Sequence, residues 1–88
     1  MANGNRPEKT FRLGLVSASV FANVREATAE QEERTVRSVH LQRRYRDDEG
    51  WKTSTSFDLS NLASAIEALR LAFAYLAERE ATNIESVS

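Results

Sequence analysis

The sequence predicts an α+β fold, an antiparallel sheet followed by one long C-terminal helix, and three observations carry that reading. Apolar and polar residues alternate at period two over residues 11–23 and again over 34–46, the signature of half-buried strands. A polar cluster ending in glycine, Asp47-Asp48-Glu49-Gly50, joins the second run to a Thr-rich, aromatic third run over residues 51–57, as a hairpin turn would. From Asn61 the apolar spacing changes to threes and fours, through Leu62, Ile66, Leu69, Phe73 and Leu76, which is helical.

In chain order, residues 1–10 are polar and aperiodic and read as an N-terminal tail. In the first strand Val16, Ala18, Val20 and Ala22 share one parity and Ser17, Ser19 and Phe21 the other, with Gly14 marking a bend or split. Residues 24–33 hold Glu26, Glu30, Glu32 and Glu33 with few apolar partners, a solvated connection. In the second strand Val39 and Leu41 oppose Ser38, His40, Gln42, Arg44 and Arg46, so its outer face is cationic. The returning strand sets Trp51, Thr53, Thr55 and Phe57 against Lys52, Ser54 and Ser56. Asp58 or Ser60 caps the helix, which begins near Asn61 and ends near Glu80; residues 81–88 read as a C-terminal tail. One domain over residues 11–80 therefore lies between two tails.

Composition narrows the function classes. With 88 residues there is room for one small interior, and 41% hydrophobic with 28% charged residues at net charge −1 describes a folded, soluble chain. The absence of cysteine excludes disulfides, thiolate metal sites and thiol nucleophiles. No apolar run approaches the roughly 20 residues that cross a bilayer, and the opening residues lack an apolar signal core, so a cytoplasmic protein is expected. Leu71, Ala72, Ala74 and Tyr75 widen the helical stripe beyond what one short sheet covers. A homodimer is therefore expected, with Leu62, Ile66, Leu69, Phe73 and Leu76 at its interface.

Nothing in the pattern builds an enzyme. The single histidine, His40, lacks the spaced partners of a metal or catalytic site, the carboxylates cluster in connections, and Gly4, Gly14 and Gly50 form no phosphate loop. No cofactor or metal is expected. The informative feature is the basic hairpin: Arg34, Arg37, Arg43, Arg44, Arg46 and Lys52 outnumber Asp47, Asp48 and Glu49, in a chain that is acidic overall. With Phe21, Tyr45 and Trp51 nearby, this segment suits a surface that neutralises phosphates and stacks bases. The alternative is a module whose helix and sheet dock a protein partner, the arginines serving only solvation.

The order of parts also carries a resemblance. A strand ending in an aromatic, a second strand closing with Gln42-Arg43-Arg44-Tyr45, the turn Arg46-Asp47-Asp48-Glu49-Gly50, another strand, then Phe57-Asp58-Leu59-Ser60 and a helix, together resemble the single-stranded-DNA-binding domain of the transcriptional positive coactivator family and short bacterial proteins of like pattern. The likeness runs over residues 11–76. It implies a curved four-stranded antiparallel sheet, a C-terminal helix and a homodimer presenting grooves for single strands, without catalysis. Tyr45 matches a stacking aromatic of that family, and Phe21 matches another more loosely. Gln42 stands where the family favours arginine, leaving Arg43 or Arg44 to substitute, and Glu30, Glu32 and Glu33 occupy a loop that is basic in the DNA-binding members.

The expected binding set is thus Phe21, Arg37, Gln42, Arg43, Arg44, Tyr45, Arg46 and Lys52, facing single-stranded DNA or RNA. Strand parity separates its members. Tyr45 falls opposite Arg44 and Arg46, so the groove implied by the resemblance requires a bulge or bend near residues 43–46. Phe21 reaches the cationic face without one.

Overall fold

The computed structural model describes residues 6–87, with side chains through Glu80. Four strands, β1 (Lys9–Leu13), β2 (Val16–Arg25), β3 (Arg34–Asp47) and β4 (Gly50–Ser54), form one antiparallel sheet in sequential order, and helix α1 (Leu59–Val87) follows. The α+β architecture expected from the periodicities is present.

The 11–23 run divides at Gly14. This residue has φ +60° and occupies the first position of a two-residue turn; Leu15 at the second position has no positive φ, so the turn is of type II′, which takes glycine first and matches the twist of the flanking strands. Gly50, at φ +120°, closes the β3–β4 turn, and Asp47 Oδ1 there accepts the Glu49 N–H at 2.9 Å.

Helix α1 lies mainly over β1 and β2. Its sheet-facing residues are Ala65, Ala68 and Ala72, which pack on Val16, Ala18 and Val20 to make the buried core. Alanines at spacings of three and four let the helix axis approach the sheet closely. Phe11, Leu13, Val39, Leu41, Phe57, Tyr75 and Leu76 close the rim. Because Val16 and Val20 are the largest fully buried side chains, the interior is thin. Each contributes about 1.5–3 kcal/mol on burial, so the core leaves little margin.

Several sequence expectations change here. Helix α1 starts at Leu59 because Asp58 is the cap: its carbonyl accepts the Asn61 N–H at 3.0 Å and its carboxylate the Ser60 hydroxyl at 2.7 Å. The Ser60 hydroxyl, with the Asn61 N–H, holds the Asp58 carboxyl below its usual range. The helix also runs on to Val87, through residues read as a polar tail, because its backbone bonds are local and need no apolar stripe. Strand β1 takes in Lys9 and Thr10, and the first five residues of the expected N-terminal tail lie outside the described residues. Strand β2 reaches Arg25, since Val24 and Arg25 pair with Thr35 and Arg34 in a ribbon that projects past the helix and carries no buried face to pattern it. Strand β4 ends at Ser54: the Ser56 N–H bonds the Ser54 hydroxyl at 3.0 Å and Arg43 Nε the Ser56 carbonyl at 2.8 Å, turning the chain toward the helix.

The helical seam also divides. Leu62, Ile66, Leu69 and Phe73 are exposed, at 41%, 66%, 42% and 71%, whereas Leu76 belongs to the rim of the core. Among the described residues no helix is long and apolar enough to cross a membrane.

Candidate nucleic-acid interface

One face of the sheet carries the helix and the other is open. The register assigns the side chains, because residues of alternate parity point to opposite faces. Val16, Ala18 and Val20 on β2 pair with Arg43, Leu41 and Val39 on β3 and define the helix side. Ser17, Ser19, Phe21 and Asn23 pair with Gln42, His40, Ser38 and Val36 on the open side, which β1 extends with Thr10 and Arg12 and β4 with Trp51 and Thr53.

The open face is cationic. Arg12, Arg25, Arg34, Arg44 and Arg46 share it, and Asp47, the one carboxylate within the four strands, has the opposite parity. Neither Arg44 nor Arg46 has an ion-pair partner among the described residues. Both lie against an aromatic ring instead: the guanidinium of Arg44 is 4.6 Å from the Trp51 ring centroid and that of Arg46 is 5.9 Å from it. Trp51 remains 51% exposed.

Further along, Phe21 meets His40 edge to face at 4.9 Å between ring centroids. With Asn23 and Ser38 these rings line an open depression of about 310 Å³. Between the two aromatic groups the floor is hydroxyl and amide, Ser17, Ser19 and Gln42, and the Thr10 and Ser19 hydroxyls are hydrogen-bonded at 3.2 Å.

The expected binding set is therefore only partly assembled. Phe21, Gln42, Arg44 and Arg46 come together on the open face; Arg37, Arg43, Tyr45 and Lys52 fall on the helix side. The bulge that would have brought Tyr45 across is absent, since β3 pairs one-to-one with β4 from Arg43 to Asp47. The guanidinium of Arg43 lies 5.5 Å from the Tyr45 ring while its Nε bonds the Ser56 carbonyl.

The other expected cations on the helix side, Lys52 and Arg37, are paired with carboxylates. Lys52 Nζ bridges Glu49 Oε1 at 2.7 Å and Asp47 Oδ2 at 3.1 Å, which raises the ammonium pKa and fastens the turn. Arg37 Nε donates to Glu8 Oε1 at 2.9 Å. Trp51, absent from the expected set, is the residue the structure adds. Its signal was its shared parity with Thr53 opposite the Arg44 and Arg46 positions, which requires the hairpin register to be known.

The acidic connection joins Arg25 to Arg34 at one end of this face. Thr28 organises it, its hydroxyl accepting the N–H groups of Glu30 and Gln31 at 3.2 and 3.1 Å, at the tip of the β2–β3 ribbon. Among the described residues no cluster of histidine and carboxylates is placed to hold a metal ion. Comparison of the chain with protein-family models, with curated proteins and with solved structures finds no match.

Proposed function

We propose that this chain is a non-catalytic module that binds single-stranded nucleic acid on the open face of its sheet and acts as a homodimer. The observation that supports it most is the pairing of Arg44 and Arg46, without carboxylate partners, with aromatic side chains on one uncovered surface. Cations follow a phosphate backbone, and exposed ring faces accept unpaired bases, which a closed duplex does not offer. In this reading Arg44 and Arg46 neutralise phosphates, Phe21 stacks a base and Gln42 lies under the strand. The resemblance to the transcriptional positive coactivator family agrees with this reading at Phe21 and departs from it at Tyr45, which faces the helix side.

Titration of labelled single-stranded and duplex oligonucleotides of equal length at two salt concentrations tests the proposal. Tighter binding of the single strand, weakening as salt rises, is the expected result. Equal affinity for both forms, or none for either, removes it.

The homodimer rests on a separate surface. Leu59, Leu62, Ile66, Leu69 and Phe73 recur at three and four residues along the helix and are all exposed, at 87% for Leu59. That is the spacing of a helix–helix seam, and a second copy covers it with an identical stripe. The same stripe favours the second reading, a protein-assembly module without nucleic-acid binding. Retained dimerisation with no oligonucleotide binding would select it.

A further inference from the structure

Two aromatic groups stand apart on the open face, and their spacing bears on the length of ligand that the face accepts. Phe21 pairs with Ser38 and Trp51 with Arg46, positions eight residues apart on β3, about 27 Å along the strand. Both rings lean inward, Phe21 onto His40 and Trp51 onto Arg44. These two partners are four residues apart, about 13 Å, so the ring-to-ring gap lies between those limits. A stacked strand advances about 3.4 Å per nucleotide, so roughly 4–8 nucleotides bridge it.

We propose that Trp51, oriented by Arg44 and Arg46, is a second base-stacking platform, and that one single strand of about 4–8 nucleotides engages it and Phe21 together. The inference deepens the single-strand reading and rests on it. Three features carry it. The indole is half exposed although guanidinium groups approach it, leaving ring surface for a base. The same two arginines are spare cations, so a base on the indole has its phosphate beside a positive charge. The floor between the platforms offers hydrogen bonds from the half-buried Ser19 hydroxyl and the exposed Gln42 amide, with Ser17 buried beneath.

Joining two platforms through one ligand raises affinity by effective concentration, and a strand too short to reach both gains nothing from the second. Affinity should therefore rise steeply with oligothymidylate length up to about 4–8 nucleotides and then level off. Trp51→Ala should weaken binding of a strand of about 12 nucleotides by roughly tenfold, and of one of about 3 nucleotides by no more than about twofold, because the shorter strand can use Phe21 alone. Trp51→Phe, which keeps a ring, should recover most of the loss.

Trp51 is the chain's only tryptophan, so its emission reports on this platform in the unaltered protein. The experiment follows labelled-strand anisotropy and tryptophan emission in one titration. Anisotropy rising together with quenching, and a length threshold in both, is the expected result. A strand that binds by anisotropy while Trp51 emission and the Trp51→Ala affinity stay unchanged overturns the second platform and leaves the open-face reading standing. No anisotropy change with any strand overturns both.

Discussion

Arg37 and Glu8 form a bidentate pair, Nε to Oε1 at 2.9 Å and Nη2 to Oε2 at 3.4 Å, that joins the segment before β1 to the first part of β3. The same carboxylate accepts the Tyr75 hydroxyl at 2.6 Å and lies 3.4 Å from Arg79 Nε, so one side chain ties strand, helix and N-terminal segment together. Arg37, a residue with the charge to hold a phosphate, is thereby committed to structure.

Replacing Glu8 by Ala should lower stability by about 1–2 kcal/mol, discounted for partial exposure, as read by urea unfolding. The pH dependence has a definite sign. The Arg37 and Tyr75 hydrogen bonds hold the Glu8 carboxyl below its usual range. A depressed folded-state pKa contributes stability that is fully present above the ordinary glutamate pKa and disappears as pH falls through the lowered value. Glu8→Gln should accordingly flatten the stability profile in that acid window. A profile parallel to the unaltered chain would exclude the linkage.

Neither turn glycine should tolerate a side chain. No atom lies within 4 Å of a β-carbon at either site, so the cost is backbone strain alone. Gly14, at φ +60°, opens a type II′ turn, and Gly50, at φ +120°, lies outside the small left-handed region that asparagine visits. Gly14→Ala and Gly50→Ala should each cost about 1–3 kcal/mol, and Gly50→Asn should not rescue the second. Thermal midpoints of the three variants check this, and an unchanged midpoint would exclude the strain.

Helix substitutions should separate assembly from folding. Phe73 is 71% exposed while Ala68 is fully buried against the sheet. Phe73→Asp should therefore yield a folded monomer by light scattering and circular dichroism. Ala68→Leu should destabilise the fold itself by roughly 1–3 kcal/mol through overpacking. A monomeric mass for the unaltered chain at tens of micromolar would remove the dimer; an unfolded Phe73→Asp chain would show that the stripe belongs to the protomer's own stability.

On the open face, Arg44→Ala should reduce the salt dependence of single-strand binding by about one phosphate contact, whereas Phe21→Ala should weaken binding by about 1–3 kcal/mol with the slope unchanged. Arg43→Ala, on the other side of the sheet, should alter neither beyond its effect on stability. Neutralising Glu30, Glu32 and Glu33 to Gln should tighten binding by relieving long-range repulsion. Equal slopes for the Arg44 and Arg43 variants would mean that the two faces have been assigned the wrong roles.

Much of this arrangement was legible in the residues alone. Period-two alternation placed Val16, Ala18 and Val20 opposite Phe21, and Val39 and Leu41 opposite Arg44 and Arg46, because side-chain direction in a strand follows parity with no help from the rest of the fold. The glycine turns and the aspartate before the helix were equally local, each set by backbone conformation or by a hydrogen bond a few residues away. Other features depended on partners distant in sequence. Which cations are spare followed from Glu8 reaching Arg37 across 29 residues, and which helical face meets the sheet followed from packing, where three alanines displaced the larger seam. Hydrophobic periodicity weights large side chains, but a thin two-layer core selects small ones so that helix and sheet can close on each other. The place of Trp51 between two arginines likewise depended on the β3–β4 register, a relation between strands that neither strand carries by itself.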